Sequence, residues 1–272
     1  VMGGTGAADI GGLAGKNGVD GTISDSYAMG AVSGGVGASE IGGLVGDNKG
    51  GAYGGMISNS YATGTVSGAA DSFDIGGLVG YNNGTINASY ATGAVSGGNN
   101  AGDIGGLVGD NETSAYGGAI SGSYATGMVM VSGGALSGSV GGLVGDNSGS
   151  IGNSYAMGTV TAGNNSHDIG GLVGFNQGAI SDSYATGAVT AGNDAYSISA
   201  FVGGNDYGGA IGNSYSTGAV TAGGNAYDVG GLVGNFSNSF GGSTISGSYA
   251  TGAVTGGSGS SSTSTTGTKF PL

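Results

Sequence analysis

One block of sequence recurs along the chain and constrains its fold more than any other feature. The box "IGGLVG" alternates with the segment "SYATGAV", and each occurs eight times with substitutions. The residue that opens the box lies at Ile10, Ile41, Ile75, Ile104, Val140, Ile169, Ile198 and Val229. The tyrosine of the second segment lies at Tyr27, Tyr61, Tyr90, Tyr124, Tyr155, Tyr184, Tyr215 and Tyr249. Eight units, 29–36 residues apart, therefore fill residues 1–255, which is typical of a stacked repeat array.

The composition of each unit predicts strands and turns. Short apolar runs are separated by Gly, Asn, Asp and Ser, and no unit has a ten-residue amphipathic helical pattern. The 71 glycines also oppose helix, because each costs about 1 kcal/mol relative to alanine. We therefore predict an all-β parallel β-solenoid, or β-helix, with about one three-strand coil per repeat. Two narrower coils per repeat are the alternative, since a 29-residue unit divides almost evenly.

Length varies mostly between the box and the tyrosine, so we expect insertions to form loops at one corner. Four of these corners carry an aromatic residue before two glycines, at Tyr53, Tyr116, Tyr207 and Phe240. They are predicted to protrude with aromatic tips, either as mobile turns or as contacts to a partner. Residues 256–272 are rich in Gly, Ser and Thr and are predicted to be a tail or linker.

Charge and composition exclude several functional classes. The net charge is −13 with only three lysines, so we expect neither nucleic acid nor an anionic membrane as a partner. No run of 18 apolar residues exists, so membrane insertion is not expected. Cysteine is absent and His167 is the only histidine, which argues against zinc. His167 is expected in a solvated loop, and no catalytic residue or enzyme activity is predicted.

An asparagine recurs seven residues after each box opens. In the eighth unit Phe236 takes this place. Asparagine tolerates the left-handed conformation of a corner, and stacked asparagines can hydrogen-bond along the axis. We predict a structural ladder of Asn17, Asn48, Asn82, Asn111, Asn147, Asn176 and Asn205.

The box itself poses a problem of parity. Ile75, Gly77 and Val79 share one face of an extended strand, whereas Leu78 lies on the other. Either a glycine bulge resets the alternation, or the leucines point outward and form an association surface. The outward stripe would comprise Leu13, Leu44, Leu78, Leu107, Leu143, Leu172 and Leu232.

In the second segment the small residues suit the interior, which leaves the tyrosines and a threonine ladder outside. The threonines are Thr63, Thr92, Thr126, Thr186, Thr217 and Thr251, with Met29 and Met157 as exceptions. One interpretation is that stacking stabilises this surface. The other is an adhesive or assembly face, since tyrosine combines apolar area with a polar tip.

Acids precede most boxes, at Asp9, Glu40, Asp74, Asp103, Asp168 and Asp228. Neighbouring carboxylates repel by only about 1 kcal/mol per pair in water, so we expect a wet corner without a cofactor. Calcium is the alternative, with Asp74 and Asp103 as candidate ligands.

The unit resembles the GLUG-motif repeat family, through Gly43-Leu44-Val45-Gly46, Gly77-Leu78-Val79-Gly80 and the trailing "SYATGAV". The resemblance covers about residues 3–257, and Phe201 departs from it in the seventh unit. It implies a bacterial secreted or cell-surface protein, adhesin-like and extracellular, and it supplies no catalytic residue.

Three functions are compatible with these features. The first is a structural rod or filament that associates with itself end to end or laterally, since no capping element is evident. The second is an adhesin module that binds glycans or cell surfaces through the Tyr/Thr ladders. The third is the stalk of a larger surface enzyme, of which this chain would be a fragment.

Overall fold

The computed structural model describes residues 1–49, 55–113, 118–132, 138–238 and 241–261, and within them the chain forms strands and turns but no helix. Forty short strands make five parallel sheets of eight strands each. Neighbouring strands of a sheet come from successive repeats, so that Ile41 pairs with Ile10 on one side and Ile75 on the other. One repeat therefore makes one coil. The predicted parallel β-solenoid is confirmed, and the alternative of two coils per repeat is wrong.

The five sheets follow one another around the coil. Sheet 1 contains Ile10–Gly11, Ser39–Gly42, Phe73–Gly76, Gly102–Gly105, Val140–Gly141, His167–Gly170, Tyr196–Ser199 and Tyr227–Gly230. Sheet 2 contains Ala14–Asn17, Val45–Asn48, Val79–Asn82, Val108–Asn111, Val144–Asn147, Val173–Asn176, Val202–Asn205 and Val233–Phe236. Sheet 3 contains Thr22–Ser24, Met56–Ser58, Thr85–Asn87, Ala119–Ser121, Ser150–Gly152, Ala179–Ser181, Ala210–Gly212 and Thr244–Ser246.

The chain then continues through the second segment of each repeat. Sheet 4 contains Tyr27–Ala28, Tyr61–Ala62, Tyr90–Ala91, Tyr124–Ala125, Tyr155–Ala156, Tyr184–Ala185, Tyr215–Ser216 and Tyr249–Ala250. Sheet 5 contains Val32–Gly34, Val66–Gly68, Val95–Gly97, Val129–Val131, Val160–Ala162, Val189–Ala191, Val220–Ala222 and Val254–Thr255. A coil thus holds five strands of two to four residues, where the sequence predicted three longer ones. Residues in the left-handed conformation, such as Asn59 and Asp182, separate each strand of sheet 3 from the strand of sheet 4 that follows it in the chain.

A bulge in the box resolves the problem of parity. The amides of Leu44 and Val45 both donate to the carbonyl oxygen of Leu78, at 2.8 and 3.0 Å. Two consecutive residues therefore oppose one, which resets the alternation. Leu78 and the following Val79 are both fully buried. The outward leucine stripe is wrong, because Leu44, Leu78, Leu107, Leu143 and Leu172 are all 0% exposed, while only the terminal Leu13 and Leu232 are partly accessible.

The interior consists of two apolar columns that run along the solenoid. One column packs the isoleucines that open the boxes against the valines of sheet 5. The other packs the box leucines and the valines of sheet 2 against the isoleucines of sheet 3. The second glycine of seven of the eight boxes separates the columns, and a Cβ on Gly106 would lie 3.0 Å from the Cβ of Ala125. The two halves of the coil approach each other closely there, and the largest residue at this position is Ala200 in the seventh coil, which is 1% exposed.

A serine ladder links the coils beneath the tyrosines. The amide of each serine donates to the hydroxyl of the serine in the next coil, as Ser89 does to Ser123 at 3.2 Å. The hydroxyl in turn donates to the carbonyl two residues earlier, as Ser89 does to Asn87 at 2.8 Å. These buried hydroxyls are thereby satisfied. The ladder contains Ser26, Ser60, Ser89, Ser123, Ser154, Ser183, Ser214 and Ser248.

The predicted tail starts within the coil. The amide of Gly257 donates to the carbonyl of Ala222 at 2.9 Å, and that of Ser261 donates to Ala226 at 2.9 Å. The chain thus follows the solenoid as far as Ser261, and residues 262–272 lie outside the described part.

Candidate functional site

The corner asparagines form a continuous amide ladder. The Nδ2 group of Asn82 donates to Oδ1 of Asn111 at 2.7 Å and to the carbonyl of Gly84 at 3.2 Å. The same pattern joins Asn17, Asn48, Asn82, Asn111, Asn147, Asn176 and Asn205 in order. It ends there because Phe236 pairs with Asn205 in the last coil. All seven side chains are buried, so their role is structural.

The tyrosines form a second ladder, on the outer surface. Rings in successive coils are stacked with centroids 4.8–5.4 Å apart and planes within 9° of each other. The alternation that the sequence predicts is present, since Ser89, Ala91, Gly93 and Val95 are buried while Tyr90 is partly exposed. The rings thus contribute apolar area to a surface that remains accessible to a partner.

Three further outward columns run beside the tyrosines and complete a surface that we call the tyrosine face. The first is Met29, Thr63, Thr92, Thr126, Met157, Thr186, Thr217 and Thr251. The second is Ala31, Thr65, Ala94, Met128, Thr159, Ala188, Ala219 and Ala253, and the third is Ser33, Ser67, Ser96, Met130, Thr161, Thr190, Thr221 and Thr255. All are partly or fully exposed, and none is charged. A chain of net charge −13 therefore has a broad face without carboxylates.

Only one of the four predicted aromatic loop tips can be placed. Tyr207 is 53% exposed, and the edge of its ring meets Phe175 at a centroid distance of 6.2 Å. Tyr53, Tyr116 and Phe240 lie outside the described residues.

The acids before the boxes form a row along sheet 1, here called the acidic groove, and their exposure differs from coil to coil. Asp74 is only 8% exposed, and Asp103 is partly buried. The row has a positive φ of 50–54° throughout, at Asp9, Glu40, Asp74, Asp103, Asp168 and Asp228. The strand pairing skips the acid, since Phe73 and Ile75 have partners in the neighbouring strand and Asp74 has none. The expectation of a solvated row fails at Asp74, whereas the other five acids of the row stay partly exposed.

Sequence reasoning missed a second row of acids, which comes from sheet 2. Asp47, Asp110 and Asp146 occupy the position two residues after the valine of the box. Asp47 is 1% exposed, and the other two are partly buried. The signal in the sequence was weak because the aligned position holds Lys16, Tyr81, Phe175, Gly204 and Asn235 in other coils.

Burial perturbs the proton affinity of these acids. It raises the pKa of Asp74 to about 8, of Asp110 to about 9 and of Asp146 to about 7, and neighbouring carboxylates add to each shift. The pKa of Glu40 is raised to about 7, again chiefly by burial. Desolvation disfavours the charged form, and like charges act in the same direction.

Donors compensate the acids in some coils. Lys16 Nζ lies 2.7 Å from Asp47 Oδ2 and Lys49 Nζ lies 3.4 Å from the same atom. Asn235 Nδ2 donates to Asp228 Oδ2 at 2.9 Å. His167 Nδ1 lies 2.9 Å from Asp168 Oδ2, and its ring stacks on Tyr196 with a centroid distance of 5.2 Å. The solvated loop predicted for His167 is wrong, since the residue lies in the strand His167–Gly170.

The shifted acids make stability depend on pH. Between about pH 4 and pH 9 the folded chain retains protons that the unfolded chain releases, so the free energy of unfolding falls as pH rises. We expect a loss of about 2–4 kcal/mol in total, after allowance for the solvent access of the groove. Urea denaturation with a chelator present measures it. Asp110→Asn should flatten the profile, and a profile that rises over this range would contradict the assignment.

The stacked coils, the buried amide ladder and the uniform outer columns define a repeat protein of the parallel β-solenoid class. The family model of the GLUG motif matches residues 165–190, which confirms the resemblance of the repeat unit to that family. No curated protein and no solved structure matches the chain significantly. In the described part of the chain, no helix has the length and hydrophobicity needed to cross a membrane.

Proposed function

We propose that the chain is a non-catalytic structural rod of the extracellular surface, which associates laterally with further copies of itself through the tyrosine face. The GLUG motif and the solenoid fit a repetitive structural or surface protein. The extracellular location rests on the resemblance alone. The self-association rests on one observation, the uncharged outer surface of sheets 4 and 5.

Charge favours this face over the others as the contact between copies. Two chains of net charge −13 repel each other. A contact between two tyrosine faces keeps the carboxylates of the acidic groove, which lie in sheets 1 and 2, out of the interface. Partly exposed tyrosine, methionine and threonine side chains also supply the apolar area that association requires.

The geometry of the ladder supports an extended contact. At about 4.8 Å per coil, eight stacked tyrosines span roughly 34 Å. Every coil presents the same outward positions, so two faces can match over their whole length once one pair of coils is in register. Many weak contacts between the two rods then add up. Sliding one rod along the other by one coil brings equivalent residues together again, so most of these contacts are kept.

Glycan binding is the second candidate function. Partly exposed tyrosines stacked at a spacing of about 5 Å present ring edges and a row of hydroxyl groups, which can contact the apolar and hydroxyl groups of a sugar chain. This function would use the same face without a second copy of the chain. A glycan array with the purified chain distinguishes the two.

Sedimentation velocity and negative-stain electron microscopy test self-association. The wild type should form laterally paired rods or bundles at physiological salt. The variant Thr92→Lys/Thr126→Lys/Thr186→Lys places like charges at the centre of the face and should remain a single rod. The matched control Ser150→Lys/Ala179→Lys/Thr244→Lys adds the same charge at exposed positions of sheet 3 and should associate as the wild type does. A dispersed wild type, or equal dissociation of both variants, would refute the proposal.

A further inference from the structure

Methionine side chains interrupt the uniform columns of the tyrosine face at its centre. Met128 and Met130 lie in the fourth coil and Met157 lies in the fifth, and they are 45%, 41% and 52% exposed. In the other coils alanine, serine or threonine occupies these columns, apart from Met29 in the first coil. The middle of the eight coils thus carries three large apolar side chains that would gain from being covered.

The three methionines belong to a block that is two coils long and three columns wide, which we call the methionine block. Its members are Thr126, Met128 and Met130 in the fourth coil and Met157, Thr159 and Thr161 in the fifth. Strand pairing sets Met130 beside Thr161, and the residues that precede Thr126 and Met157 are paired as well. Each column of the block therefore has a methionine in one coil and a threonine in the other.

All six side chains of the block point to the outer surface. From Ser123 to Val131 every second residue is buried, and the residues between are partly or fully exposed. The same alternation runs from Ser154 to Ala162 in the fifth coil. The block is therefore an uneven patch of long and short side chains among columns of short ones.

An antiparallel pair of rods makes this patch complementary to itself. Consider a two-fold axis that lies in the plane of the contact, runs along the strands and passes between the fourth and fifth coils. It brings the fourth coil of one copy opposite the fifth coil of the other and keeps each column opposite its own copy. Every methionine of the block then faces the threonine of its column, and each contact occurs twice, as in an isologous interface. The facing pairs are Met128 with Thr159, Met130 with Thr161, and Met157 with Thr126.

The same axis gives the longest overlap, because it passes through the middle of the eight coils. The contact then measures roughly 34 Å by 20 Å, or about 700 Å² per copy, which is close to the about 800 Å² per partner of a typical specific interface. A shift by one coil shortens the contact. It also moves the axis into the fourth coil, where Met128 would meet Met128 and Met130 would meet Met130 head on.

We propose that two copies pair in antiparallel orientation through the tyrosine face, and that the methionine block fixes their register. This inference rests on the proposed function, since it requires lateral association. The repeated columns allow contact in many registers, and the block selects one of them. Methionine suits such a contact because its flexible, polarisable side chain adapts to an uneven surface, and side chains near the centre of an interface contribute most to binding.

Cysteine crosslinking reads the register directly, because the chain has no cysteine of its own. In the proposed pair the second coil of one copy lies opposite the seventh coil of the other, so Thr63 faces Thr217. Sheets packed face to face are about 10 Å apart, which is too far for a disulfide but within reach of a short bismaleimide. An equimolar mixture of Thr63→Cys and Thr217→Cys chains should crosslink in high yield. Neither variant alone should, since its two cysteines would be about 24 Å apart along the rods.

Other arrangements give other crosslinks. A parallel pair would join Thr63→Cys to cysteines of the second coil, such as Ser67→Cys. An antiparallel pair that has slipped by one coil would give its highest yield with Thr186→Cys or Thr251→Cys. Either pattern would overturn the inference and leave self-association intact. A wild type that sediments as a single rod would instead refute the proposed function on which the inference rests.

Substitution of the methionines tests the role of the block. Met128→Ala/Met130→Ser/Met157→Thr introduces residues that other coils have in these columns. It should raise the dissociation constant of the pair by more than about tenfold, and the Thr63→Cys crosslink should spread to the neighbouring coils. Met56→Thr removes a similarly exposed methionine from sheet 3, outside the tyrosine face, where the paired residues are threonines, and should pair as the wild type does. Unchanged affinity and register in the triple variant would overturn the inference.

Discussion

Gly105→Ala is expected to lower the free energy of unfolding of the chain by about 2–4 kcal/mol. A Cβ at this position would overlap the carbonyl oxygen of Val108 and would lie 2.7 Å from that of Leu143. Both obstacles are backbone atoms held by the bulge, so no side chain can turn away. The coil can accept the methyl group only by shifting the bulge, as the seventh coil does at the equivalent Ser199, whose Oγ accepts a hydrogen bond from the amide of Phe201 at 3.1 Å.

The matched control lies in the same strand. Gly102 also belongs to Gly102–Gly105, yet nothing lies within 4 Å of its Cβ position and its φ is not left-handed. Gly102→Ala should therefore be neutral or should stabilise the fold by about 0.4–1 kcal/mol, through the unfolded state. Urea denaturation followed by circular dichroism compares the two. Equal midpoints would show that the bulge does not require the glycine.

Asn111→Asp should cost about 3–6 kcal/mol of stability, because it removes the donors at the centre of the amide ladder. The Nδ2 group of Asn111 serves two acceptors, Oδ1 of Asn147 at 2.7 Å and the carbonyl of Gly118 at 2.9 Å. A carboxylate leaves both buried acceptors without a partner and adds a negative charge beside them. Asn82 can still donate a hydrogen bond to the new carboxylate. The hydrogen bond that is lost is therefore the one to Asn147, on the side of the higher-numbered coils.

The defect should depend on pH in a defined sense. Burial beside two acceptors raises the pKa of the new carboxyl group, because the protonated form can donate one hydrogen bond. The variant should therefore be least unstable in acid and lose stability as pH rises above the ordinary pKa of aspartate. Asn99→Asp makes the same change at an exposed corner and should shift the urea midpoint by little. A deficit at Asn111 that matches this control would contradict the ladder.

Periodicity made the coil predictable. The spacing of Ile75, Tyr90 and Asn82 to their copies placed equivalent residues one repeat apart, and the pairings follow that spacing. The ladders of asparagines and tyrosines were also predictable, because the same residue recurs at the same position of each coil and comes to lie beside its copy in the next coil. The number of strands did not follow, because left-handed residues such as Asn59 divide segments that look continuous in sequence.

The acidic groove lay beyond sequence reasoning for a physical reason. Asp74 is 8% exposed whereas the acids at the same position of the other coils are partly exposed, so its burial depends on its neighbours in other coils and not on the local sequence. Asp110 belongs to a column of sheet 2 in which the residue type differs between coils. The repeat pattern therefore did not predict a row of acids there. The prediction of a loop at His167 was wrong for a similar reason. The histidine lies in a strand and stacks on Tyr196 of the next coil, and the local sequence does not reveal that neighbour.

The amide ladder gives the solenoid a direction. Each of its bonds points the same way, from the amide nitrogen of one asparagine to the oxygen of the next coil, so the side-chain dipoles add along the axis and polarise one another. The ladder therefore carries a partial positive charge at one end of the rod and a partial negative charge at the other. When two rods lie side by side, opposite orientations cancel these dipoles and equal orientations reinforce them, which favours antiparallel pairs.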